Sequence, residues 1–163
     1  SGNWERPLSM PPAGADAVAL AVDADPAAFA ALMEGMRSDD PVLRMRCADA
    51  AEKASRRWPS MLRPHAERLV ALAAGETQAE VLWHVLQMLS RAELIPGQRA
   101  RAFEAAVSRG DHPSRIVRAE RLSALFALSL PGSAERAAAR DAATDALDTG
   151  PPSVRARVRR LLA

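Results

Sequence analysis

The chain has no tyrosine, one lysine (Lys53), one cysteine (Cys47), and only three tryptophans and three phenylalanines in 163 residues. Valine, isoleucine and threonine together supply 15 residues against 36 alanines. Helix formers therefore far outnumber strand formers, and an extended sheet is all but excluded. A single cysteine cannot close an internal disulfide, so a reducing, cytoplasmic setting is the simplest expectation. No stretch approaches the roughly 18 apolar residues that span a bilayer, so no membrane partner is expected. Ala15–Val22 begins beside Asp16 and lacks a basic leader, so it does not read as a signal peptide.

Charge is nearly balanced, at 22 basic against 20 acidic residues. The isoelectric point of about 9.4 still lies high, because almost nothing titrates between histidine and arginine. It is therefore weak evidence for a nucleic-acid partner. With 48% apolar and 26% charged residues, the composition is that of a soluble globular chain with room for one domain or a short array of repeats.

Prolines and small polar residues punctuate the sequence at regular intervals. Residues 1–24 read as an irregular lead-in with a short capping helix at Asp16–Val22, and Trp4 is expected to dock on the body. Asp25-Pro26 and Asp40-Pro41 each pair an N-cap with proline at the first helical position, opening helices to about Arg37 and Arg56. Pro64 falls near the start of a helix ending at Gly75. Thr77 and Glu80 have the spacing of a capping box and open Gln78–Arg91. Further helices are expected from Pro96, from the Asp111-His112-Pro113 turn, from Pro131-Gly132-Ser133 and from Pro151-Pro152.

This punctuation repeats. The second helix of each pair opens at Pro41, Gln78, Pro113 and Pro151, with separations of 37, 35 and 38 residues. Leu43-Arg44, Val117-Arg118 and Val154-Arg155 keep the same register, 74 and 37 apart. A helical unit of about 37 residues recurring four times is the signature of an α-solenoid, with repeats at 25–57, 59–92, 96–130 and 133–163. Asp39-Asp40-Pro41-Val42-Leu43-Arg44, followed by the small residues Cys47, Ala50 and Ala51, resembles a HEAT repeat; Pro113–Arg118 and Pro152–Arg155 match the same pattern. The chain is similar to small bacterial HEAT-like proteins of unassigned function. The resemblance covers residues 25–163 and implies an all-α fold of about four antiparallel helix pairs, second helices lining a concave face.

Helical geometry sorts those second helices. Leu43, Cys47, Ala50, Ala51 and Ala54 share one stripe, the expected core face, with Arg46, Asp49, Lys53 and Arg56 opposite. Val81, Val85, Met88 and Leu89 make the next core stripe, with Trp83 and Gln87 opposite and Glu80, His84 and Arg91 beside them. Arg46, Trp83, Glu120 and Arg157 keep the 37-residue register on the polar side, which stacking would place in one row. An indole among arginines is a typical anchor of a binding surface, although a tryptophan packed on a neighbouring helix accounts for it equally well. Arg44, Arg118 and Arg155 form a second ladder, accompanied by Asp39, Glu76, Asp111 and Asp148 at turn positions. Matched acids favour a structural ladder over a phosphate stripe. The last helix gathers Arg155, Arg157, Arg159 and Arg160 into the most basic stretch of the chain.

Reactive constellations are scarce. His65, His84 and His112 lie in different repeats, there is no HExxH, no second cysteine, no Gly-rich phosphate loop and no GxSxG elbow. Glu80 and His84 stand at i,i+4, within reach of each other but short of a metal site. Cys47, on the core stripe, reads as a small buried hydrophobe. No catalytic residue, metal or cofactor is expected. The expected function is a non-catalytic protein-binding module whose surface comprises Arg46, Lys53, Trp83, His84, Gln87, Glu120 and Arg157. The rival is nucleic-acid binding, since Trp83, Arg121 and Glu120 bear a superficial likeness to HEAT-like alkylpurine DNA glycosylases; self-association through the basic last helix is a third outcome.

Overall fold

A computed structural model describes residues 14–22 and 24–163; the expected docking of Trp4 lies outside them. Among the described residues the chain is all helical and carries no strand. Nine α-helices run α1 (Ala15–Val22), α2 (Pro26–Gly35), α3 (Pro41–Arg57), α4 (Ala66–Gly75), α5 (Ala79–Arg91), α6 (Pro96–Val107), α7 (Arg115–Ala127), α8 (Ala134–Thr149) and α9 (Pro152–Leu162), with a 3-10 turn at Pro59–His65. Within these residues no helix is long and apolar enough to cross a membrane.

Both Asp-Pro junctions act as the sequence predicts. Asp25 Oδ1 accepts the Ala27 N–H and Asp40 Oδ1 the Val42 N–H, each at 3.0 Å. The adjoining proline occupies the first helical position, where no N–H is required. Ser133 caps α8 by accepting the Arg136 N–H.

Pro64 falls just before α4, in the 3-10 turn that leads into it, and α4 ends at Gly75 as expected. Two helix starts differ from the sequence expectation. Thr77 does not build a capping box. Glu76 Oε1 instead accepts the N–H groups of Thr77 and Gln78, at 3.1 and 2.9 Å, and Gln78 becomes the cap residue of α5. The α7 cap is Ser114, whose hydroxyl accepts the Val117 N–H, while His112 Nδ1 accepts the Ser114 N–H at 3.1 Å. The Asp111–Pro113 turn therefore stays outside the helix.

Alternate helices pack on one another. α3 contacts α1, α2 and α5; α5 contacts α3, α4 and α7; α7 contacts α5, α6, α8 and α9; α4 also packs on α6. The hydrogen bonds between them keep the spacing of the sequence repeat. Gln78 Nε2 donates to the Pro41 carbonyl at 2.8 Å, 37 residues back. Arg91 Nη1 donates to Ser55 Oγ, 36 back, and the Arg109 guanidinium to the Ala73 carbonyl, also 36 back. A constant forward offset means that α3 and α5 run parallel, as do the α4 and α6 segments.

Small side chains allow this packing. Ala48, Ala50, Ala51, Ala54, Ala73, Ala102, Ala106, Ala124, Ala139 and Ala143 are all buried, interleaved with Phe29, Leu62, Leu69, Leu82, Leu86 and Leu122. Cys47, Ala50, Ala51 and Ala54 lie in the core as expected, and so do Val81, Val85, Met88 and Leu89. Leu43 does not: it is 45% exposed, as is its neighbour Val42 at 47%. Both belong to the first turn of α3, at the edge of its packing.

α2 and α3 approach closely at Gly35. A Cβ on Gly35 would run into Cys47 Sγ, and burial holds the Cys47 thiol above its ordinary pKa, which keeps it protonated and unreactive. Gly35→Ala should destabilise the fold by about 1–3 kcal/mol through overpacking. In a Cys47→Ala background, where only the Cβ of residue 47 remains, 3.3 Å away, the same change should cost clearly less, because the sulfur is gone and alanine is the better helix former. Chemical denaturation of the four variants checks this; equal effects in both backgrounds would deny the contact.

Candidate partner-binding surface

Six of the seven residues expected on the binding surface are arranged into two groups of side chains tied to one another. The first lies where α3 and α5 run side by side. Lys53 donates to Asp49 at 3.2 Å and pairs with Asp16 of α1 at 2.5 Å. His84 Nδ1 bonds Gln87 Oε1 at 3.0 Å, and its Nε2 stands 3.7 Å from Asp49 Oδ1. Glu80, four residues before His84, is not its partner. Trp83 sets its indole edge-on to the His84 imidazole, centroids 5.7 Å apart, and packs partly buried against the core. Of the two placements the sequence left open, an exposed anchor and a packed indole, the side chain takes one between them, half-buried against the core.

Beneath this group lies Glu52, only 1% exposed. Its carboxylate takes two bonds from Arg56, at 2.9 and 2.8 Å, and one from Arg91 of α5 at 3.0 Å. Arg91 also donates to Ser55 Oγ at 2.9 Å and to the Glu52 carbonyl at 3.2 Å. Burial pushes the Glu52 carboxyl up, but the hydrogen bonds and charges of Arg56 and Arg91 outweigh it and hold the group below the usual carboxylate range. Lys53 is raised, chiefly by its bond to Asp16, against the opposing effect of burial and with the help of Asp49.

The second group joins α7 to α9. Arg157 Nη2 meets Glu120 Oε1 at 3.0 Å, and its Nη1 donates to Ser123 Oγ at 2.9 Å. Glu120 is buried. Of the register row Arg46, Trp83, Glu120 and Arg157, these two therefore face each other as an ion pair. Arg46 stands apart, exposed on α3.

The arginine ladder is matched by acid at one rung. Arg44 pairs with Glu76 through Nη2; Arg44, Arg118 and Arg155 each keep a buried Nε without a partner among the described residues. Glu76 is buried between α4 and α5, while Asp39 and Asp111 are exposed turn residues and Asp148, expected at a turn, is exposed in the last turn of α8. Arg121 donates from Nε to the Ala106 carbonyl at 2.9 Å and so closes the end of α6 rather than facing a groove with Trp83.

Asp49, Glu52 and His84 each bring a ligand atom to within 4.8 Å of the others. That spacing suits a cation, but the positions around it hold the Arg56 and Arg91 guanidinium groups and the Lys53 ammonium. The donor set is already neutralised by protein cations, so it does not fit a metal. Sequence reasoning missed the two residues that organise the group, Glu52 and Arg91, as a pair. Their separation of 39 residues lies close to the repeat length and was the available signal. Comparison of the chain with protein-family models, with curated proteins and with solved structures gave no match in any of the three.

The Glu52 cluster dictates an acid response. A carboxyl whose folded-state pKa lies below its unfolded value contributes stability that is present above the unfolded value and lost as pH falls through the folded one. Thermal midpoints should therefore decline as pH drops below 4.5, the ordinary value for this carboxyl. Glu52→Gln should flatten part of that decline and lower stability at neutral pH by about 2–3 kcal/mol. An unchanged acid limb in the variant would remove Glu52 from this role.

Proposed function

We propose that the chain is a HEAT-like α-solenoid serving as a non-catalytic, protein-binding module of a reducing, cytoplasmic compartment, with the α3–α5–α7–α9 layer as its binding face. The observation that carries the reading is the half-covered Trp83 lying flush among charges already fixed by partners. Lys53 is held between two aspartates, His84 between Gln87 and Asp49, and Arg157 against Glu120 and Ser123. Side chains ordered before binding lose less entropy when a partner arrives. The recurrence of interhelix bonds at offsets of 36 and 37 residues supports the solenoid part of the reading. Pairing of the cations within the protein favours a protein partner over nucleic acid, which binds through unmatched lysine and arginine.

Arg46 tests this cleanly, because it is exposed and makes no side-chain hydrogen bond or ion pair among the described residues. Arg46→Glu should leave the melt unchanged and reduce capture of a protein partner from nuclease-treated lysate by about tenfold or more. Trp83→Ala should also reduce capture while lowering stability, since the indole packs on the core. Capture indifferent to both changes would place the binding face elsewhere, and recovery abolished by nuclease would turn the assignment to nucleic acid.

A further inference from the structure

The turn between α6 and α7 closes on a histidine. His112 Nδ1 accepts the Ser114 N–H at 3.1 Å, while the His112 backbone N–H donates to the Arg109 carbonyl at 3.2 Å. Pro113 has no N–H, so that of Ser114 is the first the ring can reach. The imidazole thus imitates the turn that Asp or Asn makes with the N–H two residues on. Those side chains accept at any pH near neutrality, whereas imidazole accepts only while Nδ1 carries no proton. Ser114 in turn caps α7 by accepting the Val117 N–H at 3.3 Å, so the ring holds the residue that starts the helix.

The surroundings oppose a charge on this ring. His112 is half-buried; burial first, then the Arg109 and Arg118 guanidinium groups, hold it below the ordinary histidine value of 6.5. Arg109 is fixed by the Ala73 carbonyl of α4. Arg118, in the first turns of α7, lines a cavity of about 270 Å³ with Asp111, Arg121 and, from α8, Asp145. Arg115 opens α7 and is exposed. Neither Asp111, beside the ring in sequence, nor Asp145, across the cavity, bonds the imidazole among the described residues. The positive end of the α7 dipole adds to the cations.

We propose that His112 is a proton-sensitive latch on the α6–α7 turn. The neutral ring holds the Ser114 N–H. On acidification a proton takes the Nδ1 lone pair, the N–H is released, and a third cation joins Arg109 and Arg118 at the start of α7. The turn then opens and frees the first turn of α7, at the wall of the cavity that Asp111 and Arg118 line. The folded-state pKa lies below the unfolded value, so the stabilisation is complete above 6.5 and is lost as pH falls through the folded value. The latch stands independently of the partner-binding reading.

The test is NMR of the ¹⁵N-labelled full chain between about pH 7.5 and 5, following the His112 ring, the Ser114 and Val117 amides and their hydrogen-exchange protection. Ring and Ser114 amide should titrate with one midpoint below 6.5, and protection at both amides should fall about tenfold or more across it. His112→Asn, whose Oδ1 takes the same N–H without titrating, should keep the cap and remove the pH dependence. His112→Ala should show the low protection at every pH. These local readouts separate the latch from His65, which burial also lowers, and from Glu52, which acts below 4.5. A Ser114 amide that does not follow the ring, or that titrates unchanged in His112→Asn, would overturn the proposal. So would a protonated ring beside amides that stay protected.

Discussion

A carboxylate sealed from water must be neutralised where it stands, and Glu52 is neutralised from two helices at once. Arg56 comes from its own helix, one turn on, and Arg91 from α5, 39 residues away. Because a buried charge tolerates little displacement, the arrangement fixes how far α5 can slide along α3. Everything argued for the surface above follows from that register. Asp49 lies one turn before Lys53 and faces His84 because Glu52, between them, is already tied to α5. Trp83 takes its place at the rim of the same contact. The Glu120–Arg157 pair does the corresponding work between α7 and α9, at an offset of 37 residues.

Alanine supplies the complementary half of this design. Helices lined with Ala48, Ala51 and Ala54 approach closely enough for side chains on one to reach the backbone of the next, as Arg91 reaches the Glu52 carbonyl and Arg109 the Ala73 carbonyl. Arginine has the length for such reach and carries several donors at its end. The combination of 36 alanines with 21 arginines therefore has a structural use: the small residues bring helices together, and the long donors close carbonyls and carboxylates that would otherwise be unsatisfied. The match is incomplete at Arg44, Arg68, Arg118 and Arg155, each of which keeps a buried Nε without a partner among the described residues.

Much of the helical organisation was legible in the sequence because it is written locally. The Asp-Pro signals, Ser133 and the prolines that interrupt or open helices act within a few residues of where they stand, and the core stripes of α5 follow helical periodicity. The errors share a different cause. Thr77 was displaced as a cap by Glu76, which is held in place by Arg44 from another helix. Leu43 has the right phase for burial but sits beyond the reach of a covering neighbour. Glu52 is buried although nothing nearby in the sequence marks it as such. Within the candidate site, the exposed row at constant spacing was legible as a register but not as a set of contacts. Glu120 and Arg157 were taken as side-by-side anchors, whereas equal spacing also allows one residue to bind the next. A repeat length identifies which residues come together; charge complementarity at that distance decides whether they face a partner or each other.

The most direct test of the central claim, that buried charge across α3 and α5 sets the register, is a double-mutant cycle on Glu52 and Arg91. Stabilities of the parent, Glu52→Gln, Arg91→Gln and the double variant would be measured by chemical denaturation at neutral pH. A coupling of about 1.5 kcal/mol or more, with each single variant destabilised, is the predicted result. Coupling within about 0.3 kcal/mol of zero would contradict the account, and would mean that alanine packing alone holds the two helices in place.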